Sequence, residues 1–381
     1  MEKLILAFLF LLTFKPLQPV NSGCLGQSPH TVAEEQYDGP YVQYKGEQVF
    51  VNYIMESNGT KTVKTDSLSR KQKDSLSLKV ITDIPGKTFQ VQLKKKLQNE
   101  KSEFRAIKNL VVLSDIEGNF GAFRKLLLAT NIIDENFNWK FGDGGLVLIG
   151  DFFDRGDQVT EVLWLIYSLE EKAKAAGGYI HFILGNHEIM NLSGDLRYTQ
   201  QKYLDNAALL HQNYVSLYDE NSELGRWLRT KNVVEKIGDI VFAHGGISGD
   251  INRLAISIRD INRLARPYYA DSTYKYDDQR TDIIFSDLGP FWYRGYYVKN
   301  DPAVSLQIDS TLTQFGASHI MTGHTIVADT ISVWYNGKLL DTDVHHAGGK
   351  SEAVVIEGDK YYRVNPEGKK VLLIELTKHK Q

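Results

Sequence analysis

Five short polar motifs, each directly following an apolar run, constrain the fold of this chain more than any other feature. The runs at residues 109–114 and 146–150 have the length and the β-branched content typical of buried strands. In α/β sheets, functional groups lie in a crevice beyond the carboxyl ends of the strands, so we expect the motifs to meet there. The motifs are Asp115-Ile116-Glu117-Gly118-Asn119, Gly150-Asp151-Phe152-Phe153-Asp154-Arg155-Gly156, Gly185-Asn186-His187-Glu188, Ala243-His244-Gly245-Gly246 and Thr322-Gly323-His324-Thr325.

Patterns typical of strands alternate with patterns typical of helices from Leu110 onward. Apolar residues recur at helical spacing after the first motif, over residues 120–127, and after the second, over residues 159–169. These stripes predict helices that cover the sheet, and therefore an α/β fold. Residues 24–105 are instead rich in β-branched and aromatic residues and predict a small β-rich extension, in which Asn58-Gly59 is a hairpin turn.

The order and spacing of the motifs resemble those of the calcineurin-like metallophosphoesterases over about residues 108–345. The combination of Gly-Asp-x-x-Asp-Arg-Gly with Gly-Asn-His-Glu is the form used by the phosphoprotein phosphatase branch. Residues 185–198 and 289–295 further resemble the bacterial or Shewanella-like protein phosphatases. The resemblance implies a β-sandwich flanked by helices, with a metallophosphoesterase domain that we place at residues 106–370.

A two-metal site follows from this resemblance. It implies that Asp151 bridges two divalent ions, that Asp115 binds the first ion, and that the second is completed by Asn186, His244 and His324. Two such ions, about 3.5–4 Å apart, allow a metal-bound hydroxide to attack a phosphate ester directly. Imidazole and carboxylate donors suit Mn, Fe or Zn.

Glu117 departs from the family pattern, which usually has histidine at this place in the first motif. As a ligand, Glu117 adds a third carboxylate to the first metal site beside Asp115 and Asp151, and such a hard donor set favours Mn or Mg. We therefore predict that Mn is the favoured ion. In the alternative interpretation, Glu117 only supports the site, and the first ion is bound more weakly.

Four residues are expected to act on the substrate. His187 follows a metal ligand directly and corresponds to the acid that protonates the leaving oxygen, and Asp154 corresponds to the residue that orients it. Arg155 and Arg294 correspond to the positions at which the family presents guanidinium groups to phosphate, whose oxygens fit their planar forks. Glu188 is predicted to support the Asn186 loop.

The N-terminus predicts export. Residues 1–23 combine Lys3, a short apolar stretch and small residues before Cys24, as a secretion signal does. The neighbourhood of Cys24 resembles a lipidation motif, although Asn21 fits it poorly, and ordinary signal-peptide cleavage explains the same residues. The mature protein is therefore expected to be periplasmic or a membrane-anchored lipoprotein.

Composition limits the partners. The formal net charge is −3 in a chain that is 42% apolar and 24% charged, and no extended run of Lys and Arg is present. The chain thus lacks the strong positive charge that attracts nucleic acid, and we do not expect nucleic acid as a partner. A phosphorylated protein or a small phosphoester remains the expected substrate.

Two other functions remain open. The same scaffold suits hydrolysis of nucleotide or dinucleotide polyphosphates, with Tyr293, Tyr296 and Tyr297 stacking on a base or lining a phosphotyrosine pocket. Alternatively, Glu117 marks a decayed site in a non-catalytic metal-binding surface protein. The paired histidines His345 and His346 are expected to form an additional contact on the active face.

Overall fold

The computed structural model describes residues 35–299 and 301–376, so the predicted signal and Cys24 lie outside the described residues. The strands are β1 (Glu35–Lys45), β2 (Gln48–Ser57), β3 (Thr60–Ser69), β4 (Ser77–Ile81), β5 (Thr88–Gln92), β6 (Glu103–Phe104), β7 (Asn109–Leu113), β8 (Gly145–Ile149), β9 (Tyr179–Ile183), β10 (Val234–Ile237), β11 (Ile240–Ala243), β12 (His319–Thr322), β13 (Ser332–Trp334), β14 (Leu339–Asp341), β15 (Ala353–Glu357), β16 (Lys360–Val364) and β17 (Lys370–Glu375). The helices are α1 (Phe120–Ala129), α2 (Val159–Ala175), α3 (Asn186–Ser193), α4 (Gln201–Leu209), α5 (Glu223–Leu228), α6 (Gly249–Arg253), α7 (Ile258–Ala265), α8 (Gln279–Phe285) and α9 (Pro302–Phe315).

Two mixed six-stranded sheets carry the motifs within the described part of the chain. One has the strand order β17-β16-β15-β7-β8-β9, with β7, β8 and β9 parallel. The other has the order β13-β14-β12-β11-β10-β6, with β11, β12 and β14 parallel. The predicted strands before all five motifs are therefore confirmed.

The two sheets pack face to face, which explains why the motif strands are apolar on both faces. Val112 and Ile149 from one sheet and Phe242 and Leu340 from the other share a buried cluster. On its opposite face, β7 buries Val111 in the cluster that contains the apolar residues of α1 and α2. The predicted sandwich flanked by helices is confirmed.

The N-terminal strands β1, β2 and β3 form an antiparallel sheet, and β4 pairs with β5. The turn between β2 and β3 is Asn58-Gly59, with positive φ at both residues as a type I′ turn requires, so the predicted hairpin is confirmed. This region packs on α2, where the Trp164 indole donates to the Pro40 carbonyl at 2.9 Å. The boundary at residue 105 stays a prediction. Within the described residues, no helix has the length and apolar character needed to cross a bilayer.

A buried ion cluster fastens α2 to the segment before β10. The Lys231 ammonium lies 2.6 Å from the Glu170 carboxylate and 3.1 Å from that of Glu100, and Lys94 approaches Glu170 at 2.9 Å. Burial would raise the pKa of Glu170, but the two ammonium groups outweigh it and lower that pKa to about 2. The charge of Glu170 therefore depends on the two lysines.

Lys231→Met is expected to lower the free energy of unfolding by about 3–5 kcal/mol, because it leaves buried carboxylates without a counter-charge. Urea denaturation measures the loss. The matched control is Lys338→Met, whose ion pair with Asp309 is partly exposed and is expected to contribute about 0.2–1 kcal/mol. Equal losses of stability in the two variants would contradict the stabilising role that we assign to the buried Lys231 cluster.

Candidate active site

The five motifs meet where the strand ends of the two sheets converge. Asp115 follows β7 and His324 follows β12 of the other sheet, yet the His324 backbone N–H donates to the Asp115 carboxylate at 3.1 Å. Likewise, the His244 ring after β11 bonds the carbonyl of Ile149, the last residue of β8. The predicted grouping of the motifs is confirmed, although the groups come from the facing edges of two sheets rather than from one open sheet.

Strained backbone is concentrated at these loops. Non-glycine residues rarely adopt a positive φ, and holding them there costs about 1–3 kcal/mol each, which the surrounding structure must offset. Six of the predicted site residues have a positive φ: Asp115, Glu117, Asp151, Asp154, Arg155 and His324. The loops also approach closely, because a Cβ on Gly185 would collide with the Asp151 carboxylate. Such strain is typical of a functional site.

Three donor atoms converge around His244. Its Nδ1 donates to the Ile149 carbonyl at 2.7 Å, which leaves Nε2 facing the site. The Asp151 carboxylate and the Asn186 amide oxygen each lie 3.0 Å from that Nε2. Fixing one imidazole nitrogen by a backbone carbonyl is the arrangement that orients histidine ligands in metal sites.

His324 completes this group. One ligand atom from each of Asp151, His244 and His324 lies within 4.8 Å of the others, and all three residues are buried. The His324 Nε2 lies 3.2 Å from the Trp292 carbonyl, and its Nδ1 lies 3.5 Å from the Arg294 guanidinium. A buried set of carboxylate, amide and imidazole donors is chemically suited to a divalent transition-metal ion. The residues present therefore fit the implied metal.

The electrostatics of the site reflect crowded carboxylates and imidazoles. Burial raises the pKa of Asp115 to about 6, although the His244 imidazole opposes the shift. Burial opposes the charge of Asp151 too, yet the imidazoles of His244 and His187 hold the pKa of Asp151 far below its usual range. Asp151 is thus the carboxylate whose negative charge the neighbouring imidazoles of His244 and His187 stabilise.

Glu117 lies beside this centre and faces two ways. Ligand atoms of Glu117, Asp151 and His187 lie within 4.8 Å of one another, so Glu117 is within reach of an ion held by Asp151. On its other side, its carboxylate pairs with Arg155 at 2.7 Å. Burial and the Asp115 carboxylate raise the pKa of Glu117 to about 8, although Arg155 opposes the shift. The structure accommodates both interpretations of Glu117.

His187 and Asp154 form a buried hydrogen-bonded pair. The His187 Nδ1 lies 2.7 Å from the Asp154 carboxylate, whose other oxygen accepts from the Thr199 hydroxyl at 3.0 Å. Burial opposes a charged imidazole, but Asp151 and Asp154 outweigh it and raise the pKa of His187 to about 9. Nε2 faces the site and lies 3.8 Å from the Asp151 carboxylate.

The two predicted arginines contact different parts of the site. Arg155 is half exposed beside Glu117. Arg294 donates to the His324 carbonyl at 2.5 Å and to the Thr325 hydroxyl at 3.3 Å, and it is exposed. The exposure of both guanidinium groups leaves them accessible to an anion that approaches the donor group.

Glu188 supports the loop that carries Asn186, as predicted. Its carboxylate accepts backbone N–H groups of Asp151, Phe152 and Gly185 at 2.7–2.9 Å, which ties the second and third motifs together. Sequence reasoning missed Asp343, which is buried beyond β14. Burial and the charges of Asp115 and Asp341 hold the pKa of Asp343 well above its usual range. The available signal was its position just after a strand of the same sheet edge.

Some sequence predictions were wrong. Tyr293 and Tyr296 are buried in a core cluster with residues of α9, so their rings cannot stack on a base. The hydroxyl of Tyr297 is hydrogen-bonded to the Thr322 hydroxyl. His346 is buried against the Ser114 carbonyl at 3.1 Å, whereas His345 is exposed beside Asp329. Of the two histidines, only His346 therefore lies beside the first motif, because Ser114 directly precedes Asp115.

Residues 108–328 match the Calcineurin-like phosphoesterase family, which is more than half of the chain. The chain belongs to the calcineurin-like phosphoesterases. A solved structure of the cold-active protein-tyrosine phosphatase of a psychrophilic Shewanella species is 33% identical, with a TM-score of 0.79, over 88% of this chain and 99% of that one. The resemblance to Shewanella-like phosphatases is confirmed.

Two further relatives match over shorter stretches. Shewanella-like protein phosphatase 1 of Plasmodium berghei is 29% identical over 230 residues, which are 57% of this chain and 60% of that protein. A symmetrical bis(5'-nucleosyl)-tetraphosphatase of Legionella pneumophila is 33% identical over 182 residues, which are 46% of this chain and 59% of that protein. The matched region thus spans less than two thirds of either relative.

Proposed function

We propose that this phosphoesterase is a phosphatase that hydrolyses phosphate monoesters, with phosphorylated protein residues as the main substrate class and two divalent ions as cofactors. One observation carries the proposal: Asp151 belongs to a buried donor group with His244 and His324, and on its other side it faces the His187–Asp154 pair. Metal binding and proton donation are therefore available around one carboxylate.

The bound ions would supply an activated water and neutralise charge on the phosphoryl oxygens. The residues of the chain supply the rest. His187 holds a proton on Nε2 and gives it to the leaving oxygen, while Asp154 fixes the ring through Nδ1. The guanidinium groups of Arg155 and Arg294 bind the phosphate oxygens. No covalent nucleophile is required.

The choice of substrate is supported by the relatives' names, which include a protein-tyrosine phosphatase and a protein phosphatase. The competing function is hydrolysis of dinucleotide polyphosphates, as the name of the Legionella relative states for that protein. Burial of Tyr293 and Tyr296 removes the base-stacking residues that favoured this alternative here.

Phosphate release from a phosphotyrosine peptide, a phosphoserine peptide and a dinucleotide polyphosphate, each with Mn, Mg or Zn, tests the proposal. We expect hydrolysis of the peptides to exceed that of the dinucleotide. The reverse order would favour the nucleotide function. A protein that binds metal but is silent toward all three and toward a generic aryl phosphate would favour the non-catalytic interpretation.

Glu117→Ala is expected to lose mainly one metal equivalent and to recover part of its activity at high Mn, because His244 and His324 remain to hold the other ion. Glu117→His is expected to move the best metal toward Zn or Fe, which imidazole suits. Metal analysis of the purified variants measures both effects, with Glu135→Ala, an exposed glutamate, as control. Two equivalents retained in Glu117→Ala would limit Glu117 to positioning Arg155.

Export is the final part of the proposal, and it rests on residues 1–23. Fractionation of cells that produce the full chain, followed by mass spectrometry of the mature N-terminus, tests it. A terminus at an acylated Cys24 would establish a lipoprotein, and an unmodified terminus nearby would establish ordinary cleavage. An intact N-terminus in a cytoplasmic fraction would contradict export.

A further inference from the structure

Four buried oxygen atoms near the start of helix α2 have no hydrogen-bond partner in the described part of the chain. They are Thr160 Oγ1, Glu161 Oε2, Asn206 Oδ1 and Tyr218 Oη, and each of these residues is at most 1% exposed. Buried polar atoms in folded proteins are nearly always paired, because an unpaired one loses its hydration without compensation. We refer to these four residues, together with Asp38, as the buried polar cluster.

Asp38, from strand β1, connects the members of the buried polar cluster. Its carboxylate accepts from the Tyr41 hydroxyl at 2.9 Å and from the Asn206 amide nitrogen at 2.5 Å, so the Asn206 Oδ1 is left for another partner. Burial and the Asp38 carboxylate raise the pKa of both Tyr41 and Tyr218, whereas the Thr160 hydroxyl lowers both. Such effects act over short distances, and these groups therefore border the same interior space.

The cluster holds more buried negative charge than positive charge. Asp38 and Glu161 are both buried carboxylates, and the ammonium group beside them is that of Lys202, at 3.6 Å from Asp38. Burial and the Asp38 charge raise the pKa of Glu161 to about 8, although Lys202 opposes the shift. One further positive charge beside Glu161 would balance the two carboxylates.

We propose that the buried polar cluster binds one monovalent metal cation, Na⁺ or K⁺, through the four unpaired oxygen atoms. Carboxylate, amide and hydroxyl oxygens are the donors that hard cations prefer. A single charge completes the balance with Lys202, whereas a divalent ion would leave an excess of positive charge. Water could pair the same atoms but would leave a buried carboxylate charge uncompensated.

This site is separate from the candidate active site, and the inference does not depend on the proposed function. The cation would join Asp38 of β1 to Glu161 of α2 and Asn206 of α4. In addition, the Tyr218 ring packs edge-on against Phe153 of the second motif, with centroids 4.9 Å apart. Binding would therefore stabilise the contact between the N-terminal strands and the helices that support this motif.

Thermal unfolding of the full chain in NaCl, KCl or choline chloride, at equal ionic strength and with saturating Mn²⁺ in every sample, tests the proposal. We expect the midpoint temperature to rise with Na⁺ or K⁺ relative to choline, which is too large for a buried site, because a ligand of the folded state stabilises it. Glu161→Gln keeps the shape without the charge and should remove this dependence. Tyr218→Phe removes one neutral donor and should raise the cation concentration for half of the effect about tenfold.

Glu223→Gln is the matched control, because Glu223 is also buried but its carboxylate accepts from the Tyr44 and Tyr167 hydroxyls. This variant should keep the cation dependence of wild type. Midpoints that do not differ among the three salts would overturn the proposal, as would an unchanged cation dependence in Glu161→Gln. If Glu161→Gln does not fold, an unchanged half-effect concentration in Tyr218→Phe overturns it instead.

Crystals soaked in Rb⁺ identify the occupant directly, since this ion replaces K⁺ and scatters anomalously. An anomalous peak in contact with Glu161 and Tyr218 would support the proposal. Water density at the buried polar cluster with no anomalous peak, in crystals soaked in Rb⁺ in place of Na⁺ and K⁺, would contradict it.

Discussion

Asp151→Asn is expected to strip the protein of both metal ions and to reduce phosphatase activity to background. The carboxylate of Asp151 belongs both to the group with His244 and His324 and to the group with Glu117 and His187, so its charge serves both sides of the site. Asparagine has nearly the same shape and fits the narrow space beside Gly185, which limits the change to the charge.

Metal content per protein, measured by atomic emission on purified samples, checks this result. Circular dichroism and thermal unfolding should show that the Asp151→Asn fold is retained. Asp154→Asn is the matched control, because Asp154 is also a buried aspartate but bonds His187 and Thr199 and belongs to neither group of candidate metal ligands. Two equivalents of metal retained in Asp151→Asn would contradict the bridging role.

His187→Ala is expected to lower kcat by about 10²–10⁴-fold, the usual contribution of a positioned acid or base, with metal content unchanged. The loss should be smaller for a substrate whose leaving group is already acidic, such as a nitrophenyl phosphate, because that oxygen departs without a proton. Comparison of kcat for the nitrophenyl ester and for a phosphopeptide isolates this effect from a general disturbance of the site.

Combining Asp154→Asn with His187→Ala in a double variant tests whether Asp154 and His187 act together. Since Asp154 acts through the His187 ring, the double variant should be little worse than His187→Ala alone. His345→Ala is the control, because His345 also pairs with an aspartate, Asp329 at 3.0 Å, but is exposed to solvent. Equal activity in His187→Ala and wild type on the phosphopeptide would remove His187 from the mechanism.

Much of the architecture was predictable because local sequence and global fold agree. Apolar runs such as β7 and β8 are buried on both faces, so their pattern is strong, and polar motifs can follow them only at the sheet edge. The positions of Asp115, Asn186 and His244 just beyond or at the ends of strands were predictable for the same reason. Asn58-Gly59 specified its turn through the positive φ that both residues tolerate.

The remaining features depend on contacts between distant segments. The pairing of Glu117 with Arg155 joins the first and second motifs, and no spacing rule indicates it. Tyr293 and Tyr296 look like a ligand-binding aromatic cluster in sequence, but packing against α9 buries them. Tyr274, Trp292 and the end of α3 line one cavity, and only the folded chain brings them together.

The central claim is that hydrolysis requires two ions held around Asp151. Titrating Mn²⁺ into metal-free protein, with bound metal and phosphate release from a phosphotyrosine peptide followed on the same samples, tests it most directly. We predict that activity appears only as the second equivalent binds. Full activity with one equivalent bound, or none with two bound, would contradict the account.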